Sequence, residues 1–131
     1  MIRPLRKLTH CTGGAAAVEF AIVSVVFISF LVAIVDFGRT MYVKNQLSYL
    51  ADQATRTVLL NPAIADTALE TTMRDDFNAG TAADLTVTIT SDTVGGETFK
   101  VMTISYPMTL FIPILSSKSL ELDVTRRVPV T

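Results

Sequence analysis

Residues 13–35, GGAAAVEFAIVSVVFISFLVAIV, decide what the rest of the chain can be. From Ala15 to Val35 the stretch is almost wholly apolar, and Glu19 is its one ionisable residue. A helix of this length rises about 32 Å at 1.5 Å per residue, which is enough to cross the hydrocarbon layer of a bilayer. The sequence therefore predicts one transmembrane helix over residues 15–35.

The basic residues at the N-terminus predict the orientation of this helix. Arg3, Arg6 and Lys7 precede the apolar stretch, and no acidic residue stands before Glu19. Because Lys and Arg favour the cytoplasmic side of a membrane helix, we expect the N-terminus inside the cell and residues 36–131 outside the cytoplasm. The prediction is a single-pass protein of the inner (cytoplasmic) membrane with one small extracytoplasmic domain.

The composition argues against an enzyme, a metal site and nucleic-acid binding. His10 and Cys11 are the only residues of their types and both precede Gly14, so cleavage there would leave the mature chain with neither. Histidine-based nucleophilic catalysis and Cys/His zinc sites would then be impossible. The remaining basic residues are scattered and outnumbered by acids, which disfavours nucleic acid as a partner. We expect no enzyme activity, no cofactor and no metal.

The densest acidic group is Asp75-Asp76, with Asp66 and Glu70 upstream. Adjacent residues of a helix point in different directions, so a joint metal site would need help from elsewhere in the chain. A solvated helix face is the favoured interpretation. A membrane-tethered, acid-dependent hydrolase is the alternative, and it has little support.

Two glycines before the apolar stretch mark a possible cleavage site. An ordinary signal peptide is cut after its apolar region, but the residues that follow Val35 offer no A-x-A-like site. Residues 1–14, MIRPLRKLTHCTGG, instead form a basic leader that ends in Gly13 and Gly14. A peptidase at the cytoplasmic membrane face would meet Gly14 in flexible backbone just ahead of the helix. On composition alone, a plain juxtamembrane hinge explains the two glycines equally well.

The segment from Gly14 to Phe20, GAAAVEF, resembles the processing motif of type IV pilin-like proteins. In that family a basic leader ends in Gly, and Glu stands at the fifth position of the mature chain. The pair Glu19-Phe20 is more specifically similar to the Tad (Flp, type IVb) branch and its TadE-like pseudopilins, in which Glu is followed by Tyr or Phe. The resemblance implies cleavage by a prepilin peptidase between Gly14 and Ala15, with Glu19 and Phe20 as the assembly and processing motif.

The same resemblance implies a structural function. The chain would be a minor pilin or pseudopilin, a structural component or assembly initiator of a Tad pilus, with other pilins, Tad assembly proteins and membrane lipid as partners. Its large C-terminal domain departs from the very short major Flp pilins, which favours the minor role. The alternative is an uncleaved bitopic membrane protein that presents a periplasmic protein-binding domain.

The role of Glu19 has two interpretations. Cleavage after Gly14 would create an ammonium group on Ala15, four residues from Glu19 and on the same side of the helix start. That amine, or the amine of a neighbouring subunit, could pair with the carboxylate and set the register between packed helices. Alternatively, Glu19 faces water among the lipid headgroups. The paired interpretation is favoured because acids within membrane segments are usually functional.

Beyond Val35 the helical pattern continues to about Leu60 and ends at Asn61-Pro62. Apolar residues recur at steps of three and four and should pack on the chain's own domain; they are Phe37, Met41, Leu47, Leu50, Ala51, Ala54 and Val58. A second helix is predicted from about Ala63 to Phe77. Three stretches of alternating apolar and polar residues then predict strands near residues 85–90, 101–106 and 120–125. The expected fold is α+β and type IV pilin-like, a long N-terminal helix packed against a small antiparallel sheet.

Two further features of the C-terminal part have open interpretations. Pro107 is expected to end the second strand, and residues 107–115, PMTLFIPIL, to form a covered loop. Any part of that segment left exposed would be an interaction patch. Arg126 and Arg127 could bind the carboxylate of a partner, although a polar strand end is the favoured account.

Overall fold

A computed structural model describes residues 12–111 and 118–130 of the chain. A 49-residue helix is followed by a short helix, a 3-10 turn and three strands: α1 (Thr12–Leu60), α2 (Asp66–Asp76), the 3-10 turn Ala82–Asp84, β1 (Thr86–Val94), β2 (Glu97–Leu110) and β3 (Lys118–Pro129). The predicted α+β fold, with a long N-terminal helix and a small antiparallel sheet, is confirmed. The leader residues 1–11 lie outside the described part of the chain.

The three strands form one sheet in the order β1-β2-β3, and both pairs are antiparallel. Ile89 stands opposite Met102, and Ile104 stands opposite Val124. Gly95 and Gly96 make the turn between β1 and β2, with φ angles of 65° and 88°. Two consecutive residues with positive φ are what a tight hairpin turn requires, and glycine adopts them without strain.

One side of α1 supplies six of the sixteen buried apolar residues of the described core. Its buried residues recur at steps of three and four from the middle of the helix to its end: Thr40, Val43, Leu47, Leu50, Ala51, Ala54 and Val58. They pack with apolar residues of α2 and the sheet, including Leu69, Met102 and Ile104. This periodicity places them on one face of the helix. The prediction that the outer half of α1 packs on the chain's own domain is correct.

The predicted face was wrong at its membrane end. Phe37 and Met41 are 65% and 38% exposed and do not belong to the core. The residue about one helical turn before Thr40, on the same face, is Asp36. Phe37 is the next residue and points about 100° away from Asp36 around the helix axis, which takes it off the buried face. Both residues are apolar, and for that reason the sequence pattern placed them on the same face as the core.

The prediction that Pro107 ends the second strand was also wrong. β2 continues through Pro107 to Leu110, and Pro107 stands opposite Glu121 of β3. β1 pairs with β2 only as far as Ser105. Beyond that residue no described residue pairs with this side of β2, and a proline is tolerated there as it is on an edge strand.

The remainder of the predicted loop 107–115 divides between buried and exposed residues. Met108 is buried in the core, whereas Phe111, directly after the strand, is exposed. Residues 112–117 lie outside the described residues. Residues 107–111 are thus a strand end with an exposed apolar residue, and not a covered loop.

Two contacts hold α2 and the following segment against the sheet. Lys100 of β2 is buried, and its Nζ lies 2.7 Å from Oδ1 of Asp66, the first residue of α2. Tyr106 packs against Phe77 with ring centroids 5.1 Å apart, and its hydroxyl accepts a hydrogen bond from the N–H of Thr81. These contacts fix the segment that leads from α2 to the sheet.

Candidate functional site

The N-terminal motif lies in the first turns of α1. The helix begins at Thr12, so Gly13 and Gly14 are helical, whereas we had expected Gly14 in flexible backbone ahead of the helix. The first four N–H groups of a helix have no acceptor within it, so this turn is the least firmly held part of α1. A Cβ added at Gly14 would meet nothing within 4 Å. Packing within the chain therefore does not demand glycine at this position.

Ala15, Glu19 and Phe20 follow on the helix, and all three are exposed. Ala15 and Glu19 are four residues apart and share one side of the helix. The next basic residue along α1 is Arg39, about 30 Å from Glu19 at 1.5 Å per residue. A positive charge for Glu19 must therefore come from the N-terminal end of the chain or from another molecule.

The inner part of α1 has an apolar surface on every side. Its exposed large apolar residues are Val18, Phe20, Ile22, Val23, Val25, Val26, Phe27, Ile28, Phe30, Leu31, Ile34 and Val35. A helix that is apolar all around belongs in a protein core or a bilayer, and this part of α1 is not covered by the domain. Among the described residues, one helix has the length and composition to cross a membrane, and it is α1. The hydroxyl of Ser29 donates to the carbonyl of Val25 at 2.7 Å, which satisfies it within the helix.

A contact between the helix and the sheet marks the outer end of this apolar stretch. Oδ2 of Asp36 accepts a hydrogen bond of 2.7 Å from the backbone N–H of Phe111, at the end of β2. The hydroxyl of Thr40 donates to the carbonyl of Asp36 at 2.7 Å. The sequence pattern did not single out Asp36 as a contact residue. Its position as the first charged residue after the apolar stretch is the signal that could have indicated one.

An open polar groove lies between α1 and the end of α2. It encloses about 430 Å³ and is lined by Gln46, Tyr49, Gln53, Asp76 and Asn78. The side-chain amide of Gln53 donates to Oδ2 of Asp76 at 2.7 Å, and that of Gln46 donates to the backbone carbonyl of Asp76 at 3.2 Å. Asp76 thus joins α2 to α1.

The acidic group does not converge on one point. Asp66 pairs with Lys100, Glu70 pairs with Arg74 at 2.9 Å, and Asp76 is held by Gln53. Within residues 12–111 and 118–130, no cluster of three or more His, Cys, Asp or Glu side chains could hold a metal ion. The separate partners explain why neighbouring acids in the sequence do not form a joint site.

The two arginines of β3 bind carboxylates of their own chain. Nε of Arg126 lies 2.9 Å from Oδ1 of Asp52 on α1, and Arg127 pairs with Asp92 of β1. The guanidinium of Arg127 also lies 4.6 Å from the ring centre of Phe99. These arginines hold elements of the domain together, a role that neither interpretation of the pair specified.

A long helix whose apolar first half has the length to span a membrane, and whose second half carries a small antiparallel sheet, defines an α+β protein with a pilin-like N-terminal motif. Residues 14–56 match the family model of TadE-like proteins, so the resemblance inferred from the motif is confirmed over this segment. The match covers about a third of the chain and lies wholly within α1. The family belongs to the Tad pilus system and has a structural role there. Comparisons with curated proteins and with solved structures gave no match.

Proposed function

We propose that this protein is a minor pilin or pseudopilin of a Tad pilus, a structural component or initiator of its assembly. A prepilin peptidase cuts it between Gly14 and Ala15. Residues 15–35 hold the mature chain in the inner membrane, and residues 36–131 form a pilin-like domain outside the cytoplasm. The observation that carries this proposal is the TadE-like match, which begins at Gly14 and includes a lone carboxylate near the start of a helix with an apolar surface.

The first turn of α1 supports a processing role for Gly14. Glycine costs a helix about 1 kcal/mol relative to alanine, so this turn opens more readily than the rest of α1 when a peptidase binds it. The space around Gly14 is open, so the chain's own packing gives no reason for the missing side chain. The narrow pocket of a peptidase gives such a reason.

Glu19 supports a role in assembly. A charged carboxylate costs on the order of 3 kcal/mol at the centre of a membrane helix and less toward its end. Cleavage before Ala15 creates an ammonium group that can offset this cost, in the same subunit or in its neighbour. In the packed assembly, loss of either charge would leave the other unpaired at a cost of roughly 3–5 kcal/mol. The pair therefore selects one axial register between neighbouring helices.

Processing is tested by mass spectrometry of the protein extracted from membranes of cells that make pili. We expect a mature chain that begins at Ala15. Gly14→Leu should remain uncut, because the leucine side chain fills the space that the peptidase requires. Gly38→Leu is the matched control, since Gly38 lies on the same helix with nothing within 4 Å of an added Cβ, and it should be cut normally. An intact Met1 in the wild-type protein would overturn the proposal.

An uncleaved bitopic protein with a protein-binding domain is the second candidate function. The open polar groove favours it: Gln46 and Gln53 each donate to Asp76, and the remaining polar groups of its wall, with Tyr49 and Asn78 among them, suit the backbone of a partner peptide. The same mass measurement separates the two functions. A retained leader in pilus-forming cells fits the bitopic protein, and a chain that begins at Ala15 fits the pseudopilin.

A further inference from the structure

The membrane-proximal end of the sheet lies at the level where the apolar part of α1 ends. Val35 is the last residue of that part, and the neighbouring Asp36 binds the backbone N–H of Phe111 at 2.7 Å. A hydrogen bond to an ionised acceptor is stronger than one between neutral groups. The end of β2 is therefore held at the helix position where a bilayer's hydrocarbon layer would meet its headgroups.

The side chains around this contact are apolar and largely exposed. Phe111 is 67% exposed, and Phe37 and Leu120 are also exposed. A cleft of about 360 Å³ separates the strand ends from α1; it is lined by Ala33, Asp36, Phe37, Thr40, Leu110 and Leu120. Phe37, Leu110, Phe111 and Leu120 together are called the strand-end patch below.

The strand-end patch is continuous with the apolar surface of the membrane segment. Ala33, in the wall of the cleft, lies about 4.5 Å along the helix axis inside Asp36. Ile34 and Val35 are exposed beside it. A water-soluble partner would have to enter between the domain and the bilayer to cover this patch. The lipid is already there if α1 spans the membrane.

We propose that the strand-end patch rests in the outer headgroup region of the bilayer that α1 crosses, as a second membrane contact of the domain. Apolar faces at such interfaces bury about 5–10 Å into the boundary between headgroups and acyl chains. With α1 as the first contact and Phe111 and Leu120 as the second, the domain cannot rotate freely about the axis of α1 relative to the bilayer. The proposal rests on α1 spanning the membrane, and not on cleavage or pilus assembly.

Tryptophan fluorescence tests this contact, because the chain contains no tryptophan. Phe111→Trp in the full-length protein places the only indole in the strand-end patch. Val94→Trp is the matched control: Val94 is 54% exposed, is also apolar, and lies at the opposite end of the sheet, about 40 Å along β2. Phe37→Trp reports the helix end itself. The variants are placed in phosphatidylethanolamine–phosphatidylglycerol vesicles that carry doxyl groups on the acyl chains near the headgroup.

We expect emission from Phe111→Trp to shift to shorter wavelength and to be quenched roughly twofold or more beyond Val94→Trp, because only an indole at the bilayer boundary meets the doxyl groups. Equal quenching of these two variants would overturn the proposal. If Phe37→Trp is quenched and Phe111→Trp is not, the membrane span stands and the second contact is wrong. A blue shift of Phe111→Trp that grows with protein density, without doxyl quenching, identifies a second copy as the occupant and also overturns the proposal.

Discussion

The two halves of α1 belong to one continuous helix but face different surroundings. From Gly14 to Val35 the large apolar side chains are exposed on all sides, whereas from Thr40 to Val58 the buried residues lie on a single face. Charged residues follow the same division, since Glu19 is alone in the first half and Asp52 of the second half is paired with Arg126. The arrangement of apolar residues around a helix, and not their number, distinguishes a surface made for lipid from one made for a protein core.

The largest effect that tests this comparison is expected at the carboxylate of the first half. Glu19→Ala should leave insertion, cleavage and the stability of the outer domain unchanged, but should abolish co-purification with other pilus components. The reason is that a neighbour's Ala15 amine would lose its partner, at a cost of roughly 3–5 kcal/mol. Glu19→Asp should assemble in part, because its shorter arm must span the same gap. The measurement is the assembled fraction relative to total cleaved protein.

Asp52→Ala is the matched control in the second half. Asp52 and Arg126 form an exposed pair at 2.9 Å, and such pairs contribute about 0–1 kcal/mol, so assembly should be normal. Normal assembly of Glu19→Ala would exclude the ion pair and support the interpretation in which Glu19 faces headgroup water.

A second prediction compares apolar side chains of the two halves. Leu47 is fully buried in the core, so Leu47→Ala should lower the free energy of unfolding of the domain by about 2–5 kcal/mol. Phe27 is exposed on the first half, and Phe27→Ala should leave that free energy unchanged although it removes a larger side chain. Denaturant titration of the detergent-solubilised proteins, followed by the circular dichroism of the sheet, measures the free energy of unfolding of both variants. Equal losses would mean that the two halves share one core.

The sequence could predict the helix, its apolar half with the length to span a membrane, the three strands and the class of the motif, because each depends on a local pattern. The Gly14-to-Glu19 spacing and the apolar stretch are visible without any tertiary contact. Whether Phe37 lies on the buried face could not be predicted, since an apolar residue next to a long apolar segment fits lipid and a protein core equally well. The continuation of β2 through Pro107 depends on where β1 stops pairing, which is a property of the sheet.

The contact between Asp36 and Phe111 could not be predicted from a local sequence pattern either. The two residues are far apart in the chain and meet only because β2 runs back along α1. For the same reason the sequence could not predict that the strand-end patch is exposed. It predicted only that any uncovered part of residues 107–115 would be an interaction surface.

A third prediction uses glycines to compare the packed domain with the open helix. A Cβ added at Gly80 would overlap the hydroxyl of Tyr106. Tyr106 is buried, and its hydroxyl accepts a hydrogen bond from the N–H of Thr81. Gly80→Ala should therefore destabilise the domain by about 1–3 kcal/mol, because the Tyr106 ring must shift to make room for the added methyl group. Gly38→Ala has open space and should stabilise α1 by about 1 kcal/mol through helix propensity alone. Shifts of the same sign in the denaturant midpoints of the two variants would contradict this contrast.

The smallest effect is expected where the two halves of α1 meet. Asp36→Ala removes the acceptor of the Phe111 N–H, which should weaken the end of β2 by about 0.5–1.5 kcal/mol while water replaces the carboxylate. Asp36→Asn keeps a carbonyl acceptor without the charge, so its effect should be smaller. Amide hydrogen exchange measures this locally: exchange at Phe111 should become roughly two- to tenfold faster in Asp36→Ala. Exchange at Ile104, in the middle of β2, should stay as slow as in the wild type, since the core around it is untouched. If Phe111 exchanges at the wild-type rate in Asp36→Ala, the carboxylate does not hold the strand end, and the core face of α1 alone positions the sheet on the helix.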